Sequence, residues 1–371
     1  VIYLDSAATS LLKPPAVHRA VIKAMKTMAS PGRGGHRPAM LAAQTVYDCR
    51  CAAAELFNAP EPENVVFTMN ATHGLNIAIR SLVSAGDRVV VSGYEHNSVT
   101  RALCDVGAKI DAVRTPLFDA PAAAAAFSAK IPGAAAVVCT HVSNVFGFIL
   151  PIYEIARYCR DNGVPLIVDA SQSAGCLDVD FEKLGAAFIA MPGHKGLMGP
   201  QGTGLLLCGQ AGRPLMCGGT GSESKRQTMP DFLPDRLEAG THNVAGIAGL
   251  LEGIRYVSEK TPAAIGEHET KLKELMAENL AGLCGLEVFS GAAQSGVLSV
   301  RRPGTDCETI CSRLAGMNVA VRGGLHCAPY AHETAGTLDT GTVRFSFSPF
   351  NTPGEVKKAC ADMEIILRDE K

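Results

Sequence analysis

Leu166-Ile167-Val168-Asp169-Ala170-Ser171-Gln172 is an apolar run that ends on an acid. Its first three residues show no polar alternation, which suits a strand buried on both faces of a sheet. Asp169 stands where that strand gives way to a loop. One reading makes it a helix N-cap. The other makes it a buried carboxylate turned toward a ligand at the C-terminal edge of the sheet. A second apolar run, Phe188-Ile189-Ala190, leads into Gly193-His194-Lys195-Gly196 and then Gly199-Pro200-Gln201-Gly202-Thr203-Gly204. A lone lysine is ordinarily a solvated charge. Lys195 instead follows a buried strand, among residues that permit close backbone approach. Partial burial there lowers an amine's pKa and frees it to attack an aldehyde.

Similar runs recur on both sides of this pair: Val65-Val66-Phe67, Val89-Val90-Val91, Ala136-Val137-Val138 and Leu205-Leu206-Leu207. Helical patterns separate most of them. Pro14-Pro15 opens a helix that continues at Val17, Ala20, Val21, Ala24, Met25 and Met28. Others cover about Met40 to Phe57, Ala71 to Ala85 and Ile152 to Asn162. Alternating strands and helices predict an α/β fold, mostly parallel, with helices on both faces. Around Cys217 to Pro234 the pattern breaks into a glycine-rich, charged stretch expected to be a mobile loop. Helices follow over about Val244–Glu259 and Ala263–Leu283. Strands near Val288, Val297–Val300, Val319–Val321 and Val343–Phe347, with a helix from Pro353, predict a smaller α+β domain. The expected division is a large domain over 14–248 and a small one over 249–371, joined by the segment 1–13.

Composition narrows the function classes. Apolar residues make up 47% of 371, enough for a sizeable core. The net charge of -2, with no basic block, argues against nucleic acid or an anionic membrane as partner. No run approaches the length of a membrane-spanning helix. Val1-Ile2-Tyr3-Leu4-Asp5 reads as a strand rather than a secretory leader. The 13 cysteines are odd in number and irregularly spaced, and most lie in apolar runs, as reduced thiols do. These features predict a cytoplasmic protein. Cys49-x-Cys51 and Cys307-x3-Cys311 lack a second ligand pair at zinc-finger spacing, so no metal site is expected.

Three further segments carry candidate chemistry. Asn70-Ala71-Thr72-His73-Gly74 lies between a strand and a helix, where backbone N–H groups and the Thr72 hydroxyl could cradle a phosphate; an ordinary capped helix has the same pattern. His96, in Tyr94-Glu95-His96-Asn97, follows another strand and is either structural or a ring that stacks on a cofactor. Val321-Arg322-Gly323-Gly324-Leu325-His326-Cys327-Ala328-Pro329 puts a thiol in a glycine-rich loop beside Arg322 and His326. Positive charge there would lower its pKa. The competing readings are one more buried thiol, or a metal set of His326, Cys327, His332 and Glu333.

Together these pieces resemble the fold-type I pyridoxal-phosphate (PLP) enzymes of the class V aminotransferase-like group. They are most similar to the cysteine desulfurase and selenocysteine lyase family, short-loop second group. The resemblance runs from Leu4-Asp5-Ser6-Ala7-Ala8-Thr9 to Arg344. It implies that Lys195 forms the imine with the cofactor and that Asp169 partners the pyridine nitrogen. It makes Gln172 the donor to the ring hydroxyl and His96 the stacking ring. Thr72 and His194 fall to the cofactor phosphate, and His73 counts among the cofactor-binding residues. Thr241, in Glu238-Ala239-Gly240-Thr241, would reach the phosphate of a neighbouring subunit, which implies a homodimer. Asn144 and Arg344 would hold the substrate carboxylate, a task suited to a planar guanidinium. Arg322 would assist there, and His36, in Arg33-Gly34-Gly35-His36, would line the entrance. Cys327 occupies the nucleophile's place, with His96 and Lys195 as the other catalytic groups.

The implied reaction converts free cysteine to alanine and leaves a persulfide on Cys327 for an acceptor protein or a reductant. Selenocysteine lyase, another class V transaminase or lyase, and a non-catalytic sulfur-transfer scaffold are the alternatives. Pro192 departs from the family pattern, standing where relatives place a hydroxyl on the phosphate. His73 departs likewise, replacing a residue that is often acidic.

Overall fold

The computed structural model describes residues 1–32 and 34–368. Its strands are β1 (Ile2–Tyr3), β2 (Val65–Thr68), β3 (Arg88–Ser92), β4 (Lys109–Val113), β5 (Ala136–Thr140) and β6 (Leu166–Asp169). They continue with β7 (Phe188–Pro192), β8 (Gly204–Cys208), β9 (Glu287–Phe289), β10 (Val297–Arg301), β11 (Val319–Ala320) and β12 (Val343–Ser346). A seven-stranded sheet runs in the order β2-β8-β7-β6-β5-β3-β4. Its pairings are parallel except around β8, which is antiparallel to both β2 and β7.

Every residue of β5, β6 and β7 is buried. Helices cover both faces, so no face of these strands needs polar residues. β4 is different. It is an edge strand that alternates Lys109 and Asp111 with apolar residues, and Asp111 pairs with Arg88 and Lys130. Charge on an edge discourages pairing with other chains. It also breaks the apolar run, and for that reason the sequence reading passed this strand over.

Helix Val244–Lys260 packs on helices Pro15–Thr27 and Arg37–Phe57. Its Ile247, Leu250, Leu251 and Ile254 belong to the core of the large sheet. The expected division at 248/249 therefore falls inside this helix. Beyond it, β9, β10 and β12 form an antiparallel sheet in the order β12-β10-β9, and β1 pairs with β11 in parallel. Helices Pro262–Leu280, Cys307–Gly316 and Pro353–Arg368 close a second core that also buries Leu4. The chain's first residues are thus built into the core formed by its C-terminal elements. Residues 209–243, which include the expected loop, form neither helix nor strand.

Candidate active site

The parallel strands β3, β5, β6 and β7 all end at one edge of the large sheet, and a cleft of about 500 Å³ opens there. Its lining includes Thr72, His96, Asn144, Asp169, Gln172, His194 and Lys195. Seven residues singled out from sequence thus come together. Ligands collect at such an edge because helix starts and loop residues converge above it.

Asp169 closes β6 and is 2% exposed. Its Oδ1 accepts from the Ser171 backbone N–H at 2.9 Å and from the Ser171 hydroxyl. Among the described residues, Oδ2 takes no protein hydrogen bond. A buried carboxylate with one oxygen held and one free suits a cationic N–H donor. The N-cap reading fails, since the next helix is Phe181–Leu184, capped by Asp180.

Lys195 follows β7 in a turn pressed against the loop after Asp169. A Cβ on Gly196 would stand 2.3 Å from the Ala174 carbonyl oxygen, so only glycine allows the approach. Burial lowers the Lys195 amine to about 8; the nearby Asp169 carboxylate opposes this, and Arg344 and Arg322 add to it. Such an amine is partly neutral near pH 7 to 8.

His96 caps helix Asn97–Val106. Its Nδ1 accepts from the Ser98 N–H at 3.1 Å, leaving the ring proton on Nε2. Burial lowers its pKa, with Asp169 pulling the other way. His194 meets the Thr9 hydroxyl through Nδ1 at 3.0 Å, and burial holds it down to about 4. Both rings are neutral at physiological pH. Gln172 donates to the Ala7 carbonyl at 3.0 Å, so its amide is anchored by the N-terminal segment. Asn70 caps helix Ala71–Leu82 by accepting from the His73 N–H at 2.9 Å. The earlier amides and the Thr72 hydroxyl are left to an anion.

Arg344, on β12, is 2% exposed. Its Nη2 donates to Asp5 Oδ1 at 2.8 Å and its Nη1 to the Asn144 carbonyl at 2.9 Å, while Nε is buried without a partner. Asp5 was quoted from sequence but given no role. The signal for it was the acid- and hydroxyl-rich run Asp5 to Ser10, which also supplies Thr9 and Ala7. Glu95, adjacent to His96, was missed as well. It is fully buried, accepts from Thr140 N–H at 2.8 Å, and is raised to about 8 by burial.

Cys327 is exposed, on the loop between β11 and helix Pro329–Ala335. Its carbonyl accepts from the Asn97 N–H at 2.8 Å, which docks the loop beside His96 at the cleft. His326 and Cys327 have φ of 50° and 56°. Each such left-handed residue costs on the order of 1 kcal/mol or more. His326 does not supply the expected positive charge. Its ring is buried against Thr342, and burial drives its pKa well below the ordinary value. Arg322 is exposed, and its backbone pairs with Arg344.

Arg344, Arg322 and Cys327 are not among the residues that line the Lys195 cleft, and three further expected residues lie elsewhere. His73 and Thr241 line a separate hollow of about 670 Å³ with Met69 and Met216. His36 is exposed and caps helix Arg37–Phe57; its neighbour Arg33 lies outside the described residues. Among the described residues, no group of three or more His, Cys, Asp or Glu side chains is arranged to hold a metal ion, and no helix is long and apolar enough to cross a membrane.

Known proteins carry the same plan. Residues 2–359 match the family Aminotransferase class-V. A probable cysteine desulfurase of Pyrococcus abyssi is 32% identical over 99% of this chain and 94% of its own length. One of Methanothermobacter thermautotrophicus is 33% identical over 98% and 94%. The solved structure of a cysteine desulfurase from Thermococcus onnurineus, 32% identical, superposes with a TM-score of 0.90 over 100% of this chain and 95% of that one. With residues 2–359 matching the family and relatives of 32–33% identity covering nearly its whole length, the chain belongs to the aminotransferase class-V family.

Proposed function

We propose that this chain is a PLP-dependent cysteine desulfurase. The observation that carries the reading is the docking of the Cys327 loop, through Asn97, at the mouth of the cleft that holds Lys195 and Asp169. The donor set fits PLP. Asp169 Oδ2 is free to face a pyridinium, Lys195 is a depressed amine among glycines, and the first turn at Thr72 can take a phosphate. Pro192 lines the cleft without a hydroxyl, so phosphate contacts fall to Thr72, His194 and backbone N–H groups. When bound, PLP supplies an electron sink for the substrate Cα.

The chain's own groups do the rest. Arg344 and Asn144 orient the substrate carboxylate, with Arg322 close by. Lys195, neutral above about 8, takes and returns the Cα proton as general base and acid. Asp169 keeps positive charge at the ring nitrogen. The Cys327 sulfur attacks the substrate sulfur. The substrate C–S bond breaks, an S–S bond forms, and a proton ends on the product carbon. Cysteine and the enzyme thiol become alanine and an enzyme persulfide, with atoms and electrons balanced. An exposed Cys327 can then hand its outer sulfur to an acceptor protein.

A second copy completes the site in this reading. Thr241 shares its hollow with exposed Met69 and Met216. Helix Ala71–Leu82 starts between the two hollows, with Thr72 toward one and His73 toward the other. That arrangement supports a homodimer in which Thr241 serves the partner's phosphate. All thirteen cysteines are free thiols, which suits a reducing compartment such as the cytoplasm.

Cys327→Ala tests the core of the proposal. Alanine formation from cysteine falls by about 10²-fold or more, the visible absorbance of the lysine imine remains, and no persulfide is found by mass spectrometry. Wild-type turnover of cysteine by this variant would sink the nucleophile assignment. Selenocysteine turnover that survives the substitution while cysteine turnover is lost marks a lyase of the selenium type.

A further inference from the structure

Cys327 must sit in a strained backbone conformation at the edge of a cleft, and something has to hold it there. The adjacent loop residues show what does. His326 is buried, with Nε2 at 3.1 Å from the Thr342 carbonyl and 3.2 Å from its hydroxyl. The ring of His332 lies stacked on the His326 ring, centroids 5.8 Å apart and planes 26° apart. His332 is 0% exposed, and its Nδ1 meets the Thr337 hydroxyl at 2.7 Å. The Phe146 ring packs against His332 as well, at 5.8 Å. Two residues before Phe146, Asn144 donates its side-chain N–H to the His326 carbonyl at 2.8 Å.

His332 is therefore gripped on three sides by the loop, by Thr337 and by the segment that follows β5. That same segment supplies the carbonyl taken by Arg344. Neither histidine is a free base for chemistry. Both are buried, and the charged form of each is disfavoured by that burial. A neutral ring with one hydrogen bond and two packed neighbours is a fixed block rather than a proton carrier.

We propose that His332 is a positioning residue for the nucleophile: stacked under His326 and pinned by Thr337, it fixes the left-handed His326–Cys327 pair and so aims the thiol into the cleft. The inference rests on the desulfurase reading for its kinetic consequence, but its structural consequence is independent of that reading. Sequence offered His332 only as a metal ligand. Its placement inside the protein, with the His326 ring against it, gives it a different task.

His332→Leu and Thr337→Val test this. The first removes the ring; the second removes only the hydroxyl that pins it and keeps the volume. In hydrogen–deuterium exchange, peptides covering 322–329 are expected to exchange at least tenfold faster in His332→Leu. A smaller rise of the same kind is expected in Thr337→Val, with peptides over 166–195 unchanged. With cysteine as substrate, kcat is expected to fall about tenfold while KM stays within twofold, because Lys195 is untouched and Arg344 keeps its place on β12 when Asn144 loses its hold on the His326 carbonyl. Alkylation of Cys327 by iodoacetamide stays within about twofold of wild type, since the thiol is exposed in either case. Unchanged exchange over 322–329 in both variants overturns the proposal. So does a rise in KM with kcat preserved, which would assign His332 to substrate binding. If the wild-type enzyme makes no alanine from cysteine, the desulfurase reading fails, and the exchange measurement still decides the role of His332.

Discussion

Lys195 lines the cleft and the Cys327 loop is docked beside it through Asn97, and the fold holds the two by opposite means. Asp169 closes β6, and Lys195 stands in the turn just past the adjacent β7, pressed against the loop after Asp169. Cys327 stands on the loop after β11, exposed, with its backbone in a conformation few side chains adopt unaided. A turn backed by two buried strands is held by close backbone packing, here at Gly196. A loop becomes rigid only through side chains packed under it, here His326, His332 and Asn144. The half that binds and activates is scaffold; the half that reaches for sulfur is joinery.

The largest test of this contrast is Lys195→Ala. We expect the visible absorbance band to vanish and alanine formation to fall by about 10²–10⁴-fold, while the melting temperature shifts little, since the sheet does not depend on the amine. A band that persists would show that the strand-end half does not work through Lys195. Next is Arg344→Lys. Loss of a charge-assisted fork raises KM for cysteine by about 10- to 100-fold, read from initial rates, with a smaller change in kcat. An unchanged KM would place the carboxylate site elsewhere.

The smallest test is a pH profile. Because the Lys195 amine is lowered to about 8, it is protonated below that pH and neutral above it. Cofactor capture by the cofactor-free enzyme should rise about tenfold per unit up to pH 8 and then level off. An ordinary lysine would keep rising toward 10.5. A profile of that kind would mean that the cleft does not depress the amine.

The two halves were also unequally legible in the sequence. Uninterrupted apolar runs ending in Asp169 and leading to Lys195 can be read directly, because burial on both faces removes polar residues from such strands. The edge strand β4 escaped because its charges serve the sheet's rim. On the thiol side, Cys327 could be picked out by its glycine-rich setting, but the means of holding it could not. His332 stands on helix Pro329–Ala335, and its ring meets His326 across the turn before that helix, an approach no spacing rule encodes. The expected cation at His326 was wrong for the same reason: exposure, not composition, decides whether an imidazole is charged, and this one is buried. Asp5 could not be paired with Arg344 from sequence either, since 339 positions separate them.

That pairing has its own consequence. The buried guanidinium of Arg344 already holds a carboxylate before any substrate arrives. An amino acid that binds through its carboxylate exchanges one anion for another, so the guanidinium is never stripped bare, and baring it would cost several kcal/mol. An amine that lacks the carboxylate, such as cysteamine, has nothing to exchange. Under the proposed role of Arg344, Asp5 is a resident counter-ion that a substrate carboxylate must displace and that a decarboxylated look-alike leaves in place.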